Sequence, residues 1–409
     1  MKQQVELLSP AGDMESLRFA LAYGADAVYL GSKEFGMRSS SRNFTFEQLA
    51  EAAAAAHALQ KKVYLTLNTL PTNSEIDRLP GVLQQAQQAE VDAFIAADLG
   101  VLSLVKAHAP GMEIHLSTQA GIVNYAAAVT AWQLGAKRVV LARELSLEDI
   151  AEIRKKTPPE LELEVFVHGA MCMSVSGRCL LSQYLTGRDA NRGQCPQSCR
   201  WKYTLHEEKR PGQEFEIGEG EGGSYILSAD DLCAAPFLDR VVEAGASSLK
   251  IEGRSKSFYY AASVTAAYRA ALDAVLAAAP GGFVCPEFVL QELSRTSHRP
   301  YSSGFFLGPE GATQSPRQSN YIREWQLVGV VQRQQGGWAV CEQRGKFTLG
   351  EPLEALTLGG RCVQFVPGAI CNGEGEAIEA TPHTKMEFWV PVPAEENFEP
   401  LTILRKKTT

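Results

Sequence analysis

Nowhere in this 409-residue sequence does an apolar run approach the ~20 residues that a membrane-spanning helix needs, and the opening MKQQVELLSPAGDMES lacks the apolar stretch of a secretory leader. The expectation is a soluble, cytoplasmic protein with no membrane partner. An excess of positive charge is also missing. Its 39 Lys and Arg face 47 Asp and Glu, a net charge of −8, which argues against a chain that coats nucleic acid indiscriminately. A local basic face is still allowed. Hydrolase signatures are absent: there is no His-Glu-x-x-His metal site, no Gly-x-Ser-x-Gly elbow and no obvious pair of carboxylates on one element. Disorder is not expected either, because 45% of the residues are hydrophobic, enough for a sizeable core.

What is present is a cadence. Short continuous apolar runs alternate with Ala-rich helical stretches: VELLSP, AVYLG, KVYLTLNT, AFIAADLG, EIHLSTQ, KRVVLAREL, ELEVFVHG and SLKIEGR. Unbroken apolar runs between helices mark parallel strands covered on both faces. In TFEQLAEAAAAAHALQ, Thr45 and Gln48 have the spacing of a capping box. Eight such units predict an α/β fold, a TIM-type (β/α)8-like barrel, with a doubly wound open sheet as the competitor. In a barrel, chemistry sits where the strands end. Those ends carry Asn68, Asp98, Ser117, Gln119, Arg143, Glu144, His168, Lys250, Glu252 and Arg254. Beyond about residue 321 the texture changes to short alternating strands with Gly turns, the pattern of a small all-β domain. The expected division is a barrel domain over 1–279 interrupted by an insertion at 170–246. A helix and a Gly/Ser/Pro-rich linker follow over 280–320, then a β-barrel or sandwich over 321–409.

The insertion follows the seventh strand and takes four of the nine cysteines within a short span: Cys172, Cys179, Cys195 and Cys199. Cys233 lies further on. Clustered thiols in a reducing compartment suit zinc or an iron–sulfur cluster better than disulfides. Spacings of seven, sixteen and four resemble no standard zinc ribbon, which favours iron and sulfur. On a helix Cys195 and Cys199 would stand one turn apart, about 6 Å. Cys172 and Cys179 on one straight helix would be about 10 Å apart, so Gly177 is expected to bend the chain between them, as Gly193 does before Cys195. A catalytic thiol paired with His168 is a weaker alternative, since a nucleophile needs one cysteine and a base. Cys285, Cys341, Cys362 and Cys371 read as ordinary buried thiols. From His168 to Arg210 there are seven basic residues against three acidic ones, so the segment is positive on a negative protein.

The string EVFVHGAMCMSVSGRCLLSQYLTGRDANRGQCPQSCRWKY closely resembles the signature of the U32 family, long catalogued as collagenase-like peptidases. ELLSPAG, GADAVYLG, LSTQA, ARELSLEDI and SLKIEGRSKSFYYAASV match the family in order, so the resemblance runs along essentially the whole chain. Length and the trailing β-module are similar to the branch that converts the wobble uridine of certain tRNAs to 5-hydroxyuridine. That resemblance implies a [4Fe-4S] cluster, independence from molecular oxygen, and prephenate as oxygen donor. Relatives differ in whether the position of Cys199 or of Cys233 supplies the fourth ligand, and this chain has both.

On this reading the tRNA anticodon loop is the partner, with phosphates held by Arg188, Arg192, Arg200 and Lys202. Arg143, Lys250 and Arg254, beside Asn68 and Gln119, would hold prephenate, because guanidinium forks match carboxylates. Glu144, His168 and Glu252 are the candidates for proton transfer. The alternatives are a U32-type peptidase, a hydroxylase acting on rRNA or on a ubiquinone precursor, or an RNA-binding protein in which the metal only folds the insertion.

Overall fold

The computed structural model describes residues 5–33, 43–172, 174–175, 178–201, 204–206, 214–216, 229–313 and 321–408; at Arg200, 204–206 and 214–216 it describes the backbone alone. The expected bend at Gly177 and the phosphate contact assigned to Lys202 lie outside the described residues, as does the side chain of Arg200.

Eight parallel strands close into a barrel: β1 (Glu6–Pro10), β2 (Ala27–Gly31), β3 (Lys62–Leu67), β4 (Ala93–Ala96), β5 (Glu113–Leu116), β6 (Arg138–Val140), β7 (Glu162–Ala170) and β8 (Ser248–Ile251). Each pairs with the next, and β8 pairs with both β7 and β1, which rules out the open sheet. These are the eight apolar runs of the sequence. The helices between them bury one stripe each. Phe46–His57 buries Leu49, Ala52, Ala53 and Ala56 against the strands, and its N-terminus carries the expected reciprocal Thr45–Gln48 capping bonds.

Helix Phe258–Ala277 departs from that pattern, being buried almost all round along its first fifteen residues. The reason is its position between two layers. One side packs on β1 and the helix Met14–Ala22; the other, through Phe258, Tyr259, Ala262 and Ala266, meets Val330, Leu356 and Ile403 of the C-terminal region. A helix covered on all sides has no polar face to keep.

That C-terminal region is a seven-stranded antiparallel sheet in the order 362–365, 353–356, 403–407, 325–335, 338–343, 387–391, 371–372. Its central hairpin, Trp325–Gln335 with Trp338–Gln343, turns through Gly336 and Gly337, both at positive φ (57° and 80°), as a tight two-residue hairpin turn demands. Arg405, fully buried, joins the two regions: it donates to Glu292 on the barrel side at 2.6 Å and to Glu354 of the sheet at 2.6 and 2.9 Å.

Two stretches differ from the reading by composition. The interval 170–246 is not wholly excursion: Asp231–Cys233 adds an antiparallel strand to the end of β7, and Leu238–Glu243 is the helix that leads into β8. The Gly/Ser/Pro-rich stretch after residue 302 is partly packed, with Phe306 buried in the main core and its carbonyl accepting from Leu147 N. One aromatic anchor is enough to hold a segment whose composition reads as linker.

Candidate active site at the barrel mouth

At the C-terminal ends of the strands lies a cavity of about 680 Å³. Asn68 beyond β3, Ser117 and Gln119 beyond β5, Arg143 and Glu144 beyond β6, and Lys250, Glu252 and Arg254 from β8 onward all line it. The insertion roofs it with Cys172, Cys179, Cys195 and Cys199. The polar strand ends and the four clustered cysteines thus share one wall.

Beneath the cavity the barrel interior is ionic. Arg138, 4% exposed, bonds Glu6 at 2.6 Å, Glu162 at 2.6 Å and Glu164 at 3.1 Å, and Lys250 Nζ reaches Glu164 at 2.7 Å. Burial works to raise the Glu164 carboxyl, but Lys250 and Arg138 outweigh it and hold it at about 2, so it is a carboxylate at neutral pH. Lys250 is therefore turned partly downward, its ammonium 4.4 Å over the Tyr29 ring. Arg143 lies along the wall with its guanidinium 3.8 Å from the centre of Phe166. It donates to Ala170 O at 2.6 Å and pairs with Glu252 at 3.3 Å. Arg254 donates to Thr66 Oγ1 at 2.6 Å. Three cations, Arg143, Lys250 and Arg254, stand in the lining beside two carboxylates, Glu144 and Glu252, but Lys250 is paired with Glu164 below and Arg143 with Glu252, so the lining is polar and close to charge-balanced.

Two amide oxygens in the wall, Asn68 Oδ1 and Gln119 Oε1, are buried with no hydrogen-bond partner among the described residues. Gln119 is 5% exposed, and a buried unpaired amide costs roughly 1–3 kcal/mol. A ligand carrying N–H or O–H donors relieves that cost.

Two of the sulfurs flank a hydroxyl. Ser182, 1% exposed, places Oγ 3.9 Å from Cys179 Sγ and 4.0 Å from Cys195 Sγ, and Gln197 N donates to Cys195 Sγ at 3.4 Å. Burial works to raise the Cys179 thiol. Backbone N–H groups of Ser182 and Leu181 and the hydroxyls of Ser174 and Ser182 outweigh it, and the net shift is downward, towards the thiolate that binds metal. Tetrahedral zinc, with bonds of ~2.3 Å, sets its sulfurs about 3.8 Å apart. Among the described residues no three cysteine sulfurs lie within 4.8 Å of one another. As placed, the described sulfurs are too widely spaced for three of them to bind one zinc ion. The group that does meet that distance, Glu292, Glu354 and Cys362, already has its negative charge met by Arg405 and Arg295.

Cys195 and Cys199 do not stand one turn apart on a helix. Residues 195–197 are irregular, Gln197 is left-handed (φ 60°), and only Ser198–Arg200 forms a 3-10 turn. Gly193 does turn the chain, at φ 79°.

Several predicted residues are not brought to the cavity. A register shift between Lys250 and Ile251 leaves an extra residue in β7, so His168 does not follow Phe166 into the barrel. Its ring packs instead against Tyr260, Tyr268 and Tyr301, where burial pushes its pKa down to about 3. Cys233 pairs with His168 in register and sits 3.9 Å from Tyr268 Oη, its thiol pushed up to about 11 by burial. Asp98 caps the helix Leu99–His108. Arg188 is exposed, whereas Arg192 is engaged by Glu75 and Leu70 O. Conversely, Tyr29, Thr66, Phe166, Ser174 and Ser182 line the cavity without having been singled out. Tyr29 and Thr66 are hidden inside apolar runs; Ser182, three residues after Cys179, carried a positional signal.

The profile of Peptidase family U32 matches residues 12–316, and that of the Peptidase family U32 C-terminal domain matches residues 323–405. The chain belongs to peptidase family U32. Among U32 relatives, tRNA hydroxylation protein P of Escherichia coli is 37% identical over 432 residues, covering 95% of this chain and 94% of that one. tRNA hydroxylation protein P1 of Bacillus subtilis is 41% identical over 352 residues, 85% of this chain and 82% of the relative. A collagenase of Porphyromonas gingivalis is 35% identical over 316 residues, 74% and 73% of the two chains.

Proposed function

We propose that this U32 protein is a tRNA hydroxylase that forms 5-hydroxyuridine at the wobble position, with a [4Fe-4S] cluster on Cys172, Cys179, Cys195 and Cys199 and prephenate as oxygen donor. The observation that carries the reading is the meeting of four cysteines with a polar cavity, lined by three cationic side chains, in the mouth of a closed barrel. Names of relatives similar over nearly the whole chain supply the RNA. Bound there, an iron–sulfur cluster supplies electron transfer or a Lewis-acidic iron beside the substrate.

The chain's own residues do the rest. Arg254 offers its guanidinium to a carboxylate of prephenate. Arg143, bonded to Ala170 O and Glu252, and Lys250, bonded to Glu164, add positive charge beside it and would have to exchange those partners to bind directly. A loop uridine, cheap to unstack, enters the cavity, where the carboxamide oxygen of Gln119 accepts from its one imide N–H and that of Asn68 is left for a donor of the co-substrate, such as a hydroxyl. Glu144 and Glu252 are the proton-transfer groups within reach of the cavity; His168, buried and neutral, orders β7 instead. Ser182 and Gln197 N orient the sulfurs by hydrogen bonds.

The collagenase among the relatives does not redirect this reading. The cavity lacks the Ser–His or Cys–His pair of the common acyl-transfer sites, since no histidine is among the described residues that line it. Mass analysis of tRNA nucleosides from a strain lacking the gene and any redundant enzyme tests the proposal: hydroxyuridine disappears, and its persistence overturns the assignment. Anaerobically purified protein is brown with about four irons per chain; a colourless protein with one zinc removes the cluster. Gln119→Leu is expected to lower hydroxylation ~10- to 100-fold at unchanged iron content. Full activity would remove the amide from base recognition.

A further inference from the structure

The insertion turns an aromatic face outward at the cavity mouth. Its helix Leu181–Thr186 is two-sided. Ser182 is buried against the cavity, whereas Tyr184, on the opposite face, is 85% exposed; Leu185 is partly exposed as well. The 3-10 turn Ser198–Arg200 packs against this helix and leads directly to Trp201, 46% exposed. Val175 and Leu180 on the same excursion are exposed as well. Several exposed large apolar side chains on one short excursion, with the helix that bears Tyr184 packed on the turn that leads to Trp201, mark a contact site. Its occupant is indicated by charge: the segment from His168 to Arg210 holds seven basic and three acidic residues on a chain of net charge −8, and Arg178 and Arg188 of the same segment are exposed. A polyanion with flat apolar faces satisfies both features, and that is single-stranded nucleic acid.

We propose that Tyr184 and Trp201 form a stacking platform for the bases that flank the target nucleotide in a single-stranded RNA loop. The inference rests on the proposed RNA substrate. Extruding one base into a cavity leaves its neighbours without their stacking partner. Aromatic rings at the rim replace that partner, whatever the base, because every base has a π-face. The helix Leu181–Thr186 then links the two events, with a base stacked on its outer side and the sulfurs ordered on its inner side.

The test is anisotropy of a labelled anticodon-type RNA hairpin titrated with the iron-loaded protein. Tyr184→Ala and Trp201→Ala each weaken binding roughly 5- to 100-fold. Tyr184→Phe binds as the parent does, and Tyr184→Leu binds as Tyr184→Ala does, since an aliphatic group fills space without stacking. Iron per chain and the visible spectrum are read on every sample, and only variants with parental iron content are compared. If the parent binds the hairpin and both alanine variants bind it equally well, the platform is overturned and the tRNA reading stands. If the parent neither binds nor hydroxylates RNA, the tRNA reading falls first. Light scattering covers the remaining case: Tyr184→Ala halving the particle mass with RNA affinity intact makes this face a contact between copies and overturns the platform.

Discussion

Arg192 grips the Glu75 carboxylate with both terminal guanidinium nitrogens, which fastens the cysteine-bearing insertion to the rim beyond β3. Arg192 had been assigned to phosphate, but its fork is already engaged. The pair holds the Glu75 carboxyl down at about 2, chiefly through the Arg192 hydrogen bond. Its contribution is therefore complete above the ordinary glutamate range and is lost as pH falls towards 2. Glu75→Gln is expected to loosen the insertion, seen as faster iron loss on gel filtration and new proteolytic cuts between 171 and 201. The melting temperature should barely move, because partly exposed pairs contribute little. Unchanged iron retention would show that the pair is not the fastening.

The five candidate thiols separate by environment. Cys195→Ala and Cys199→Ala should lose iron and visible colour, while Cys233→Ala and Cys285→Ala should keep both, because Cys233 lies outside the described cavity wall. Iron assay of the four purified proteins decides the fourth ligand. Loss of iron in Cys233→Ala with retention in Cys199→Ala would reverse the assignment.

His168 gives a pH signature. Burial is the main cause of its depressed pKa, with His298 and Lys256 adding to it. The unfolded chain takes up a proton near pH 6.5, and the folded chain does not until about pH 3. Stability from this group is thus complete above pH 6.5 and declines as pH falls to about 3, by at most about 1.4 kcal/mol per pH unit. Denaturant titrations of the native protein and His168→Phe between pH 7 and 4 check this, the variant showing the flatter profile. Parallel profiles would mean that other groups govern the acid limb.

Arg405 predicts a large penalty. It is fully buried between Glu292 and Glu354, so Arg405→Ala leaves two buried carboxylates with Arg295 as their one remaining cation among the described residues. A loss of about 3–5 kcal/mol is expected by denaturant unfolding. Replacing all three together with Arg295 by apolar residues of similar volume should recover most of it, which separates stranded charge from lost packing.

The barrel was legible because each strand is a continuous apolar run bounded by polar residues, and such runs between helices have few other homes. The site was legible in outline for a related reason: strand ends on one rim of a closed barrel converge whatever the loops do. His168 was misplaced because a period-two reading assumes an unbroken ladder, and one extra residue in β7 reverses the face. Glu164 and Arg138 were passed over because a buried ion network is invisible until its partners, from β1, β6, β7 and β8, are brought together.

Taken alone, the amino-acid order determined the eight-stranded architecture, the appended β-sheet and the grouping of four cysteines, all properties of local pattern and short spacing. Tertiary structure alone decided which groups share the cavity: that Ser182 stands between two sulfurs, that Arg192 belongs to Glu75, and that Cys233 and His168 face tyrosines. Those outcomes depend on barrel closure and on one bulge, and both are set by contacts between residues far apart in the chain.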